Sequence, residues 1–233
     1  MSFTIEPVIF ERFPGICIVV AVAHGIDNQQ EQPAITARWQ EAWANAASAA
    51  RYGNAQSHPR VQPWRERFQA MGVSGKQFPS SIEALLRRAL KGGAPFSINP
   101  LVDFYNTISL RHLVPAGAFD LEPLRGPLEL RLSRAGDTFL SLDADEPLDV
   151  PPGEVSYASG STILTRHFVW RQAKTGLIEP TTRDIFLVSE VLGEVGREVA
   201  EAVLADFRSG VQEYFGATPQ TFLLDARNHT VDW

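Results

Sequence analysis

The chain has 233 residues, 44% hydrophobic and 21% charged, with a formal net charge of −6. That is the composition of an ordinary globular protein with one large core or two small ones. The acidic balance excludes the broad basic surface of a nonspecific nucleic-acid binder, so any RNA contact falls to a local patch. A single cysteine, Cys17, excludes an internal disulfide framework and a cysteine-rich zinc site. The five histidines show no metal spacing, so neither a metal nor another cofactor is expected. The N-terminal MSFTIEPVIFERF lacks a signal-peptide apolar region. No apolar run approaches the ~20 residues of a membrane span, and a cytoplasmic protein with no membrane partner is expected.

Residues 3–10 and 15–24 read as two strands joined at Phe13-Pro14-Gly15. ICIVVAV (16–22) is continuously apolar, as a strand covered on both faces is. Pro33 opens a helix with Ile35, Trp39, Trp43, Ala46 and Ala50 on one stripe, and a polar loop spans 53–59. A short helix begins at Pro63 with Trp64, Phe68 and Met71 inward and Gly72 as its stop. Ser80-Ser81-Ile82-Glu83 is a capping box that starts a helix over 81–90.

Asn99-Pro100 is a further helix start, an N-cap acceptor followed by a proline at the first helical position. Leu101, Phe104, Tyr105 and Ile108 form one face, while Val102, Leu110 and Leu113 make the other sides apolar as well. Such a helix is buried. Yet it carries Asp103 and Asn106, three apart on one face, and buried polar groups need partners or a ligand. The helix ends in Arg111 and His112, where cations suit the dipole.

LELRL (128–132) alternates like a half-buried strand, and Thr138–Leu140 is the next. The acidic, proline-bearing 143–152 is a loop. Glu154–Tyr157 and Ile163–Trp170 form a hairpin around Ser159-Gly160-Ser161. On an extended strand Arg166, Phe168 and Trp170 share one face, and His167, Val169 and Arg171 the other. With Lys174, this cluster suits phosphate contact and base stacking on a single-stranded end; a polar strand face packed on a loop is the plain alternative. Asp184–Val188 is a short strand, a long helix spans Ser189 to Phe215, and Thr221–Leu224 is a last strand. Strands and helices cluster in blocks, which favours an α+β fold.

Six segments in order carry a resemblance. They are VQPWRERFQAMGV (61–73), SSIEALLRRALKGG (80–93), INPLVDFYNTISLRHLVPAGAFDLE (98–122), PPGEVSYA (151–158), TRHFVWRQAKTG (165–176) and TTRDIFLVSEVLG (181–193). Together they resemble the B3/B4 domain of the bacterial phenylalanyl-tRNA synthetase β subunit in free-standing form. The likeness is best over 60–215, with 1–60 as an N-terminal extension packed on the same core, and implies one domain over 1–233. It implies a three-layer β/β/α sandwich and a link to tRNA. It further implies a trans-editing deacylase acting on mischarged aminoacyl-tRNA, with a non-catalytic module for a free amino acid or the tRNA 3′ end as the alternative. No motif of a synthetase catalytic subunit is present, so aminoacylation by this chain alone is not expected.

The signature stands as Asn99, Pro100, Val102, Asp103 and Asn106. Asp103 then holds the substrate α-ammonium or orients water, or is an ordinary helix carboxylate. Asn106 binds the substrate amide or carbonyl, or makes a structural hydrogen bond. Two positions depart from the family pattern: Gly117 stands where the editing pocket has histidine, and Val188 where it has glutamate. His112 either caps its helix or replaces the lost histidine. Asn99, Gly117, Ser159 and Val188 complete the expected substrate pocket; for Asn99 a helix cap, and for Ser159 a turn, is the plain alternative. Arg166, Trp170, Arg171 and Lys174 are the expected tRNA contacts.

Overall fold

The computed structural model describes residues 1–233. Strand β1 (Ser2–Ile5) stops where Pro7 opens α1 (Pro7–Arg12), so the expected strand over 3–10 is cut in two. Pro7 has no N–H to offer a neighbouring strand, and its fixed φ suits a first helical position. β2 (Cys17–Ala23) is buried along its whole length, as its apolar run requires. Helix α2 (Pro33–Ala46) runs on into 3-10 turns at Ala47–Tyr52 and Ala55–Ser57, the second inside the expected loop. α3 (Gln62–Ala70) and α4 (Ser81–Leu90) follow. The Ser80 hydroxyl accepts the Glu83 N–H at 3.4 Å. The reciprocal half of that capping box is not made, because the Glu83 carboxylate is buried against Arg65 (2.8 Å) and Arg87 (2.5 Å).

Asn99 caps α5 (Pro100–His112) by accepting the Val102 N–H at 3.0 Å. β3 (Ala116–Asp120) comes next. Its Ala-Gly-Ala-Phe-Asp sequence has weak strand propensity and hid it from periodicity; pairing with a neighbour makes it a strand. Then come β4 (Leu128–Leu132), β5 (Thr138–Phe139), β6 (Leu148–Asp149), β7 (Val155–Ser159), β8 (Thr162–Arg166) and β9 (Arg171–Gln172). The strand expected over 163–170 ends at Arg166. His167 and Phe168 take left-handed backbone, with φ of 45° and 63°, and the alternation of faces is lost there. β10 (Ile185–Val191) overruns the expected strand and takes in Ser189–Val191, which periodicity assigns to the long helix. That helix, α6, spans Arg197–Phe215. Gly193 and Gly196 separate the two, since glycine disfavours a helix interior. β11 (Gln220–Leu224) and a further short strand, β12 (Thr230–Asp232), complete the chain.

The strands form two sheets. The larger is ordered β12-β1-β4-β7-β8-β5-β6, with β9 beside β8, and the smaller β11-β2-β10-β3. The small sheet is antiparallel throughout. Its residues Ile18, Val20, Val22, Phe186 and Val188 join Phe3, Leu130 and Tyr157 of the large sheet in one core. Its other face, with Val19, Ala21, Ile185 and Leu187, packs on Phe104 and Ile108 of α5 and Val203 and Phe207 of α6. The result is an α+β fold in three layers, sheet on sheet on helices. No helix is long and apolar enough to cross a membrane.

Candidate functional site

The two sheets do not close fully on one another. Between β3 and β10 on one side, and β7, β8 and the 168–172 segment on the other, lies a cleft of about 90 Å³. Strand register builds its small-sheet wall. Val188 of β10 lies directly opposite Gly117 of β3, so the two positions that depart from the family pattern are cross-strand neighbours. A methyl group at Gly117 would meet nothing within 4 Å, which leaves that part of the cleft open. Alternation along β10 puts Glu190 on the same face as Val188, two residues on. From the opposite sheet the buried Tyr157 of β7 reaches it, donating its O–H to Glu190 Oε1 at 2.6 Å. Trp170 and Arg171 line the cleft as well, both half-buried.

The electrostatics of the cleft centre on this pair. Burial pushes the Glu190 carboxyl up to about 7, against the opposing effect of the Tyr157 hydrogen bond. Burial, reinforced by the adjacent Glu190 charge, raises the Tyr157 phenol well above its ordinary value. Sequence reasoning missed both residues. The sequence pattern places Glu190 on a helix, where its inward direction is not visible; the one available signal is an acidic residue within the apolar run IFLVSEVL.

The other expected site residues lie elsewhere. The Asp103 carboxylate is buried and already bonded, by the Ser97 hydroxyl at 2.6 Å and the Ile98 N–H at 3.1 Å. It thus closes the entrance to its own helix. Asn99 caps that helix and donates to the Ile178 carbonyl, with Asn28 beside it. Asn106 is half-buried on α5, outside the cleft lining. His112 pairs with Asp206 at 2.7 Å on the helical side. Ser159 donates to the Gly126 carbonyl at 3.1 Å, at the turn end of β7. Arg166 forks onto Glu154 at 2.6 and 2.7 Å and is committed there; Lys174 is exposed beyond β9. Of the expected residues, then, the cleft gathers Gly117, Val188, Trp170 and Arg171.

A larger cavity, about 600 Å³, opens among α2, α5, α6 and the 3-10 turns, with Arg38, Glu41, Arg111 and Asp206 in its wall. Size alone would favour it. The inter-sheet cleft is the stronger candidate because it holds a buried carboxyl with a strongly raised pKa, and perturbed groups of that kind gather at functional sites.

A family model described as the B3/4 domain matches residues 64–203. The phenylalanine–tRNA ligase beta subunit of Chromobacterium violaceum is 28% identical over 123 residues, covering 53% of this chain. The chain spans only 15% of the length of that curated relative. A solved N-terminal fragment of the phenylalanyl-tRNA synthetase beta-subunit from Pyrococcus horikoshii covers 96% of this chain, and 54% of the fragment is covered in turn, at 10% identity and a TM-score of 0.49. The matched segment runs from α3 into α6 and carries Gly117, Tyr157, Val188 and Glu190; the chain belongs to the B3/4 domain family.

Proposed function

We propose that the inter-sheet cleft receives the aminoacyl end of a mischarged tRNA and hydrolyses its ester in trans. The observation that carries this reading is the meeting of Gly117 and Val188 with Trp170 and Arg171 around one cleft. Membership of a family that includes part of a tRNA ligase beta subunit supports the link to tRNA. The chemistry asks little of the protein. Water attacks the ester carbonyl, the tetrahedral oxyanion collapses, and the ribose oxygen leaves with a proton. Placement of the ester and of the water supplies much of the acceleration. Trp170 offers a face for the terminal base, and Arg171, whose pair with Asp143 at 2.9 Å is exposed and therefore weak, a cation that can exchange to a phosphate. The test is deacylation of a panel of mischarged tRNAs by the full chain. At least one should lose its amino acid faster than in buffer; a panel in which none does sinks the hydrolytic reading.

The side chains at 117 and 188 favour a second reading. Gly117 and Val188 bring no polar group to the cleft, as a module that binds the tRNA 3′ end or a free amino acid without chemistry would require of neither. That module would retain aminoacyl-tRNA on a filter while leaving its ester intact, or gain thermal stability from a free amino acid. Absence of retention and of any thermal shift would eliminate it.

A further inference from the structure

An aminoacyl ester carries a free α-ammonium, and that cation needs an anionic partner once it leaves water. Among the residues lining the cleft, Glu190 is the only carboxylate and Arg171 the only cation. They sit at different depths: Glu190 is 3% exposed, whereas the Arg171 side chain is 38% exposed. One Glu190 oxygen takes the Tyr157 O–H, and no other side chain bonds the carboxyl. Asp103, the acid that the resemblance assigns to the α-ammonium, has both oxygens engaged by Ser97 and Ile98 and lies outside the cleft. Above about pH 7 the cleft is therefore negative at its floor, while at its mouth Arg171 stands in an exposed pair with Asp143 at 2.9 Å, held only weakly in water and open to exchange for a phosphate. That polarity matches an aminoacylated nucleic-acid end entering with its amino acid foremost, the phosphates trailing past Arg171.

Resting on the reading of this cleft as the aminoacyl site, we propose that the Glu190 carboxylate is the counter-ion of the ligand's α-ammonium, with Tyr157 as the residue that positions it. The ligand class follows. It comprises α-aminoacyl esters with an unblocked amino group, and it excludes their N-acylated counterparts, which have lost the charge and gained bulk. Specificity of this kind comes from a partner left unpaired by the wrong ligand.

The test uses the full chain and a panel of aminoacyl-tRNAs, each prepared with a free α-amino group and as its N-acetyl derivative. Ester loss and filter retention are both read. The free forms should be hydrolysed or retained with a preference of roughly 10-fold or more, the scale of one charge-assisted hydrogen bond. Glu190→Gln keeps the size and an acceptor for Tyr157, and should reduce that preference to within about twofold. Tyr157→Phe removes the hydrogen bond that orients the carboxyl and favours its ionised form, and should weaken the preference and move its onset to higher pH; a preference unchanged in size and pH dependence overturns the positioning role of Tyr157. The wild-type comparison of two ligands needs no variant, so a poorly folding mutant does not spoil it. Equal handling of free and acetylated forms by the wild type overturns the Glu190 assignment and leaves the cleft reading standing. A preference that survives Glu190→Gln in a folded variant also overturns it. If neither form is hydrolysed or retained, the cleft reading itself has failed, and the assignment falls with it.

Discussion

Glu190 is a carboxyl with one hydrogen-bond partner in an otherwise apolar stretch of β10, and its titration has a consequence for stability. Its pKa rises from 4.5 to about 7 on folding because burial disfavours the charged form. Below 4.5 the group is protonated in both states. Between 4.5 and about 7 the unfolded chain releases the proton while the folded chain keeps it, so stability falls as pH rises, by roughly 3 kcal/mol in total. Above that range both states are ionised and the loss is constant. Glu190→Gln abolishes this slope, so the variant should gain on the wild type from about pH 5 to about pH 8. Urea denaturation across that range measures it, and a constant difference between the two proteins would refute the burial of an acid. Asp103 shows the opposite limit of what single residues disclose. A polar residue on an apolar helix was legible as buried and in need of partners. Its partners proved to be Ser97 and the Ile98 amide, on the approach to its own helix. Sequence spacing cannot distinguish a carboxylate that closes its own helix entrance from one that waits for a ligand.

At the scale of elements, caps and continuous apolar runs were the most legible features. Ser80 and Asn99 both cap the helices expected of them, and the buried β2 coincides with its apolar run. Elements whose formation depends on a distant partner were less visible: β3 is weak in propensity, and the last residues of β10, Ser189–Val191, read as the start of a helix because Leu192 and Val195 begin its apolar stripe. Glycines held the missing information. A methyl group at Gly193 would sit 2.8 Å from the Pro14 carbonyl oxygen, so this position lets two turns pack closely. Gly210, inside α6, lies against the Phe104 ring of α5, which a methyl group there would strike. In an unobstructed helix Gly→Ala gains about 1 kcal/mol. Here overpacking should reverse the sign, and Gly210→Ala should destabilise by roughly 1–3 kcal/mol. Gly117→Ala on β3 meets open space and should leave stability within about 0.5 kcal/mol. Urea midpoints of the two variants provide the comparison. A more stable Gly210→Ala protein would mean that α5 and α6 pack less closely than described.

At the scale of the whole molecule, the small sheet is the layer on which everything else rests, and β10 shows this over two consecutive residues. Phe186 faces the large sheet, in contact with Phe3 at 5.0 Å between ring centroids, while Leu187 faces the helical layer. Both are fully buried. One backbone therefore carries both cores, and neither core can dissolve without loosening the strand that supports the other. Phe186→Ala should cost about 3–5 kcal/mol and Leu187→Ala about 2–5 kcal/mol, each the sum of lost burial and the cavity left behind. The expected signature is shared: far-ultraviolet circular dichroism and tryptophan fluorescence should give coincident urea transitions in both variants, as in the wild type. The tryptophans make the test sensitive, because Trp39 and Trp64 lie in the core on the Phe186 side. Suppose instead that Leu187→Ala shifts the circular dichroism transition and leaves the fluorescence one in place. The helical layer would then unfold separately, and the cleft walls formed by β3 and β10 would not depend on α5 and α6 for their rigidity.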